Sequence, residues 1–277
     1  MKTFHFLKKK RLKVGLALGS GGAKGYAHLG VIKILEENKI PIDFIAGSSA
    51  GAIIGSLYAL NPKIKEVKKI IHSQAWNKSI SFLDLSWKQG LMKGEKFQKF
   101  LKKVTKNYTF KETKIPLSVM ATDFDSAKAV KINEGNIALA IRGSASVPLF
   151  FKPVSWKNRL LCDGGLSEPV PVEAVKQMGA DVIIAVNLDN GSYFKTKENP
   201  TNFWNNLLLT RYFHCLQYNL AQKSLGRADI IIEPQVGYLG SIGWQKLIKG
   251  EIEDVVQEGE RSTQKALEQI KKILKIN

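Results

Sequence analysis

Ser49 lies in Gly47-Ser48-Ser49-Ala50-Gly51, a G-x-S-x-G. A serine in this pattern can act as a nucleophile when it sits on a sharp strand-to-helix turn. The turn lifts its Oγ clear of the backbone and aims the positive end of the following helix at the reacting centre. Such a turn is strained and takes only small neighbours, which Gly47, Ala50 and Gly51 are. A serine nucleophile also needs a base. The four histidines are His5, His28, His72 and His214. A triad running serine, acid, histidine along the chain leaves only His214, and His214 falls in the middle of an amphipathic helical pattern. His28 comes near the start of the first expected helix, where packing is the simpler role. A carboxylate remains. Asp163 closes a short apolar run and precedes Gly164 and Gly165. An ordinary aspartate, with a pKa of ~3.9, is a weak base at neutral pH, and burial would raise it toward a useful value. Each residue also has a plainer role: Asp163 as a turn initiator before two glycines, and 47–51 as a glycine-rich turn without chemistry.

A third feature is Gly19-Ser20-Gly21-Gly22-Ala23-Lys24-Gly25. Successive amides at the start of a helix make an anion hole. In acyl transfer the anion is the tetrahedral oxyanion. A nucleotide site is the rival, and both of its patterns fail. A phosphate-binding loop needs Ser or Thr after the lysine, where this chain has Gly25, and a dinucleotide fingerprint starting at Gly19 needs glycine where Lys24 stands.

The elements around these residues alternate. Residues 13–18, 43–46, 115–121, 127–132, 160–162, 182–187 and 229–233 read as short apolar strands, and 26–38, 50–60, 63–75, 138–144, 172–178, 203–225 and 250–276 as helices. That alternation predicts an α/β fold, a mostly parallel central sheet covered on both faces. Strand ends in such a sheet converge on a ligand crevice, where Ser49 and Asp163 could meet. We divide the chain into a basic arm at 1–12, a catalytic domain at 13–235 and a C-terminal helical extension at 236–277 packing on it. Within 76–114, Lys78, Lys88, Lys93, Lys96, Lys99, Lys102, Lys103 and Lys106 interleave with Trp76, Phe82, Trp87, Phe97 and Phe100. Basic plus aromatic suits peripheral contact with an anionic membrane surface. The plainer alternative is an amphipathic helix at 95–104 packing its aromatics inward.

The chain has 277 residues and a net charge of +18, with a mean hydropathy of −0.12. This is globular composition, and the length suffices for one large core. Two cysteines, Cys162 and Cys215, exclude a disulfide framework, and no Cys/His spacing suits zinc. No apolar run reaches the ~18 residues of a membrane span. The basic N-terminus is not followed by the apolar stretch of a secretion signal, so a cytoplasmic protein is expected, with the inner membrane face as its place of peripheral contact. The charge favours polyanionic partners, but no nucleic-acid motif accompanies it.

The ordered set of Gly21-Gly22-Ala23-Lys24-Gly25, then the G-x-S-x-G about two dozen residues later, then Asp163-Gly164-Gly165, resembles the patatin-like phospholipase family, most of all its compact bacterial members. The stretches 141–148 (IRGSASVP), 151–154 (FKPV) and 163–171 (DGGLSEPVP) agree, and the resemblance spans roughly residues 13–190. It implies a three-layer α/β/α fold and a Ser–Asp dyad without histidine, with Ser49 as nucleophile and Asp163 as base. It also implies an oxyanion hole at Gly21, Gly22 and Ala23, supported by Lys24, Gly25, Gly47, Gly51, Gly164 and Gly165. No cofactor and no metal are implied. The substrate would be a lipid ester: phospholipid, lysophospholipid or acylglycerol. The alternatives are an acyltransferase using the same acyl-enzyme and a non-catalytic lipid-binding protein. Two positions depart from the family's pattern. Ser20 stands where its first glycine is usual, and Lys24 where arginine is usual.

Overall fold

The computed structural model describes residues 11–76, 94–148, 150–195, 207–239 and 252–276. Eight strands form one sheet: β1 (Val14–Leu18), β2 (Phe44–Ser48), β3 (Leu117–Asp123), β4 (Ala129–Ile132), β5 (Val154–Trp156), β6 (Arg159–Cys162), β7 (Val182–Val186) and β8 (Ile230–Ile232). Their order is β5-β6-β3-β2-β1-β7-β8, with β4 also on β3. Strands β1, β2, β3, β7 and β8 are parallel, and β4 and β6 run against β3. The helices are α1 (Ala27–Glu37), α2 (Ala50–Leu60), α3 (Ile64–Ile71), α4 (Glu95–Val104), α5 (Ile137–Ser144), α6 (Val172–Gln177), α7 (Leu207–Leu225) and α8 (Ile252–Leu274). The α/β expectation holds.

The central strands are apolar without alternation because both of their faces are covered. β1, β3 and β7 are buried at every residue. On one face Leu16, Leu18 and Ile45 pack with Leu29, Ile32, Leu57 and Val256 of the helices. On the other, Ala17, Ala46 and Ala185 pack with Val172, Val175, Ala221 and Leu225. The small residues on that second face let α6 and α7 lie close to the sheet.

Two local readings change. The glycine turn holds a 3-10 turn of its own, Gly22–Tyr26, before α1 begins. The run at 160–162 is the second arm of a hairpin, β5–β6, whose first arm the sequence pattern does not announce, because Val154–Trp156 is only partly buried and, at three residues, too short for its alternation to stand out. Asp163 therefore arrives from a strand running opposite to β3, not from a parallel strand end.

The C-terminal helix α8 joins the core. It crosses α1 where Gly30 faces Gly259. A Cβ on Gly30 would stand 2.0 Å from the Val256 carbonyl oxygen, and one on Gly259 would stand 2.1 Å from that of Ala27. Backbone meets backbone there, and Val255, Val256 and Ile270 are fully buried. In the basic segment, α4 buries Phe97, Phe100 and Leu101 and exposes Lys96, Lys99, Lys102 and Lys103. For this helix the inward-packing alternative is the one observed. Lys78, Phe82, Trp87, Lys88 and Lys93 lie outside the described residues. Among the described residues no helix is long and apolar enough to cross a membrane.

Candidate active site

The G-x-S-x-G turns sharply from β2 into α2. Ser49 has φ 50° and ψ −114°, a left-handed conformation that costs a non-glycine residue about 1–3 kcal/mol and persists only where its surroundings enforce it. The flanking glycines are required by contact. A Cβ on Gly47 would lie 2.4 Å from the Gly51 carbonyl oxygen, and one on Gly51 would lie 2.1 Å from that of Leu18.

Ser49 Oγ donates to Asp163 Oδ2 at 2.7 Å, across 114 positions of sequence. The other carboxylate oxygen accepts from the Gly165 amide at 2.8 Å, and Thr122 Oγ1 donates to the Asp163 carbonyl at 2.8 Å. Gly164 sits where a Cβ would meet the Met120 carbonyl at 2.4 Å, so the turn after Asp163 can lie directly on β3. Asp163 is 2% exposed and Ser49 5%. Burial dominates the carboxyl and pushes it up to about 7, against the lowering effect of the Ser49 and Gly165 hydrogen bonds. A carboxylate so placed can take a proton at neutral pH.

The stretch 141–148 braces both residues. Ser144 Oγ accepts from the Ser49 amide at 2.8 Å, and the Ser146 carbonyl accepts from the Asp163 amide at 3.1 Å. Arg142, 1% exposed, donates to Ser146 Oγ at 2.7 Å and stacks over Phe151 at 4.4 Å. Sequence reasoning gave these residues no role. Their only signal was the motif-like run they sit in.

The glycine turn faces the same cavity. Gly21 and Gly22 have φ of 153° and 54°. The first three amides of a 3-10 turn have no acceptor inside it. That of Lys24 reaches the Gly21 carbonyl at 3.0 Å. Gly22 and Ala23 themselves line the cavity. Gly25 packs against Ala50, where a Cβ would come within 2.4 Å of the Ala50 Cβ, which brings the turn against the start of α2. The side chains of Lys24 and Ser20 reach Asp189.

Neither buried histidine serves Ser49. His28 Nε2 donates to the Gly19 carbonyl at 2.8 Å, and burial pushes its pKa down to about 4. It is a neutral brace under the turn. His214 lines the cavity from α7, with Nδ1 3.9 Å from Asp189 Oδ1. Burial, aided by the Lys24 charge, pushes it to about 3, so this approach is no ion pair at neutral pH. His5 lies outside the described residues. Among the described residues no cluster of His, Cys, Asp and Glu gathers in a geometry for a metal ion.

Apart from the polar Gln217, the rest of the cavity is mainly apolar. Tyr26, Ile53, Trp76, Phe97, Phe151 and Phe213 line it together with Ser49 and Asp163. Trp76 Nε1 donates to Tyr26 Oη at 2.7 Å, and its ring lies 5.6 Å from that of Phe100. Phe97 and Phe151 stack at 5.8 Å. An apolar chain fits such walls, with its polar end at the serine.

An uncharacterized NTE family protein of Mycobacterium bovis is 37% identical over 181 residues, 65% of this chain and 50% of its own length. The lysophospholipase NTE1 of Kluyveromyces lactis is 31% identical over 209 residues, 72% of this chain and 14% of its own length. The chain thus spans about half the length of the mycobacterial relative. Among solved structures, VipD from Legionella pneumophila superposes with a TM-score of 0.56 at 14% identity, over 94% of this chain and 67% of that one, which is a likeness of fold. The family profile described as patatin-like phospholipase matches residues 16–176, more than half of the sequence and all three motif regions, and the chain belongs to that family.

Proposed function

We propose that this protein is a serine acyl hydrolase that cleaves carboxylic ester bonds of lipids through Ser49 and Asp163. The observation that carries the reading is the 2.7 Å Ser49–Asp163 hydrogen bond, set on a strained elbow at the lining of an apolar cavity. Asp163 takes the Ser49 proton as Oγ attacks the ester carbonyl. The amides of Gly22 and Ala23, with that of Gly21 beside them, receive the developing oxyanion. The alcohol leaves with the proton from Asp163, and the acyl group stays on Ser49. A water molecule, deprotonated by Asp163, then attacks the acyl-enzyme and frees a carboxylic acid. An aspartate lifted to about 7 serves both steps, since it is a fair base and, once protonated, a fair acid.

The apolar walls support an acyl chain as the part of the substrate that is bound. A relative named as a lysophospholipase supports a single-chain phospholipid within the lipid ester class. The net charge of +18 supports encounter with anionic lipid surfaces. The test is labelling with a fluorophosphonate, beside acid release from a p-nitrophenyl ester, on wild type, Ser49→Ala and Asp163→Asn. Labelling confined to proteins that keep Ser49, with turnover lost in both variants, is the expected result. A wild type that neither labels nor turns over refutes the reading.

A further inference from the structure

Asp189 follows β7, whose end lies beside that of β1, with Leu18 paired to Val186. It is 3% exposed, and both of its carboxylate oxygens are taken by the glycine turn. Oδ2 accepts from Ser20 Oγ at 2.6 Å, and Oδ1 accepts from Lys24 Nζ at 2.7 Å. Lys24, 1% exposed, gives a second hydrogen bond to the Leu188 carbonyl at 3.0 Å. Ser20 and Lys24 are the residues immediately before and after Gly21, Gly22 and Ala23. One carboxylate therefore grips both ends of a segment whose residues line the cavity.

We propose that Ser20, Lys24 and Asp189 are positioning residues, a buried clamp that fixes the Gly22 and Ala23 amides for the anionic oxygen of the tetrahedral intermediate. The proposal rests on the hydrolase reading above and adds the device that aims its oxyanion donors.

Three arguments support it. First, the segment needs holding. Two successive glycines at positive φ have the largest backbone freedom to lose, and donors stabilise an oxyanion only if they are aimed before it forms. Second, a buried ion pair is a poor stabiliser compared with apolar side chains of similar volume, so fold stability alone gives little reason for one here. Third, the clamp explains both departures from the family's pattern. A glycine at position 20 has no hydroxyl to reach Asp189, so Ser20 adds a tie. At position 24 a compact ammonium meets two acceptors in a closed pocket.

The clamp separates from a purely structural role by what it leaves alone. The double variant Lys24→Met/Asp189→Leu removes both charges at once, so neither is left buried and unpaired. Its kcat for a p-nitrophenyl ester is expected to fall about 10²-fold, the scale of a misplaced oxyanion donor. KM stays within about twofold, because the acyl cavity is untouched. Affinity for a trifluoromethyl ketone, which forms a tetrahedral oxyanion on the serine, falls in step with kcat, while decanoate binding is unchanged. Ser20→Ala loses about tenfold in kcat. A double variant with kcat near wild type overturns the proposal. So does one in which kcat falls while KM rises and decanoate binding weakens with it, since the pair would then only hold the fold. If the double variant does not fold, Ser20→Ala decides: an unchanged kcat and ketone affinity overturn the clamp. A wild type that fluorophosphonate does not label refutes the hydrolase reading, and the clamp with it. A labelled, active wild type with indifferent variants refutes the clamp alone.

Discussion

Replacing Asp163 with asparagine should stabilise the fold, and by an amount that depends on pH. Burial lifts the Asp163 carboxyl from its ordinary 3.8 to about 7. Between those values the folded protein holds a proton that the unfolded chain has released. Stability therefore falls as pH rises through that window and levels off above 7. Each pH decade of such a mismatch is worth about 1.4 kcal/mol, so roughly three decades leave ionised Asp163 costing about 4 kcal/mol. Asparagine removes the charge and keeps the bonds: its oxygen can accept from the Gly165 amide, and its NH₂ can donate to Ser49 Oγ. Urea denaturation of wild type and Asp163→Asn from pH 4 to 8.5 reads the effect. At pH 4 the two should nearly coincide. By pH 8 the variant should be more stable by up to ~4 kcal/mol, on the order of 10 °C in Tm. Glu168, raised by burial to about 6, and His28, lowered to about 4, also titrate with folding, but they do so in both proteins and cancel in the difference. A stability difference that stays flat from pH 4 to 8.5 refutes the claim that the site holds its carboxylate in a poorly solvated, strained state.

Further outcomes follow from the same geometry. Since the base must be ionised, kcat/KM for a neutral ester should rise with pH through about 7 and fall close to tenfold per unit below it; a profile flat from pH 5 to 8 excludes Asp163 as the base. Ser49→Ala should abolish turnover by at least about 10³-fold while leaving the circular dichroism spectrum intact, and residual rates near wild type would move the nucleophile elsewhere. Trp76→Ala should cost about 3 kcal/mol through the void it leaves and shift ester preference toward longer acyl chains, because Trp76 walls the cavity; an unchanged chain-length profile would remove Trp76 from the acyl path. Gly259→Val should lower stability by about 3 kcal/mol or more, since its side chain must displace the Ala27 backbone from the α1–α8 crossing; an unchanged urea midpoint would mean that α8 docks loosely.

How much of this was legible in the sequence depends on how local the physics is. Ser49 was legible because the elbow writes its sterics into adjacent positions: Gly47 and Gly51 are glycine because backbone oxygens lie within 2.4 Å of any added Cβ. Asp163 was reachable by elimination among histidines, and its elevated pKa was expected from burial. The hairpin that delivers it was not legible, because Val154–Trp156 is an edge strand of three residues, too short for its alternation to register. The α1–α8 contact was hidden for another reason. Gly259 sits inside a charged helical pattern, and nothing in its neighbourhood names the partner 229 positions earlier. Asp189 was hidden too, at the head of a polar run that reads as loop. Its one clue was its place just past a parallel strand end, where site residues gather.

The two buried aspartates show why such residues resist a reading from sequence. Asp163 and Asp189 are equally enclosed, at 2% and 3% exposure, yet they are driven apart. Burial lifts Asp163, whose partners are a hydroxyl and an amide. Burial also opposes the charge on Asp189, but the Lys24 ammonium, the nearby His214 and the Lys24 and Ser20 hydrogen bonds together outweigh it and hold that carboxyl below its ordinary value. One carboxylate is kept ready to change its proton; the other is kept from changing it. Residue type and depth of burial are common to both, so neither decides the role. The deciding difference is the set of partners, Lys24 foremost among them, and their placement follows from which strand ends the sheet order sets side by side. A site with two carboxylates poised apart in this way can divide proton transfer from positioning. Moving the Lys24 charge would disturb both at once, because Asp189 also bears electrostatically on Asp163.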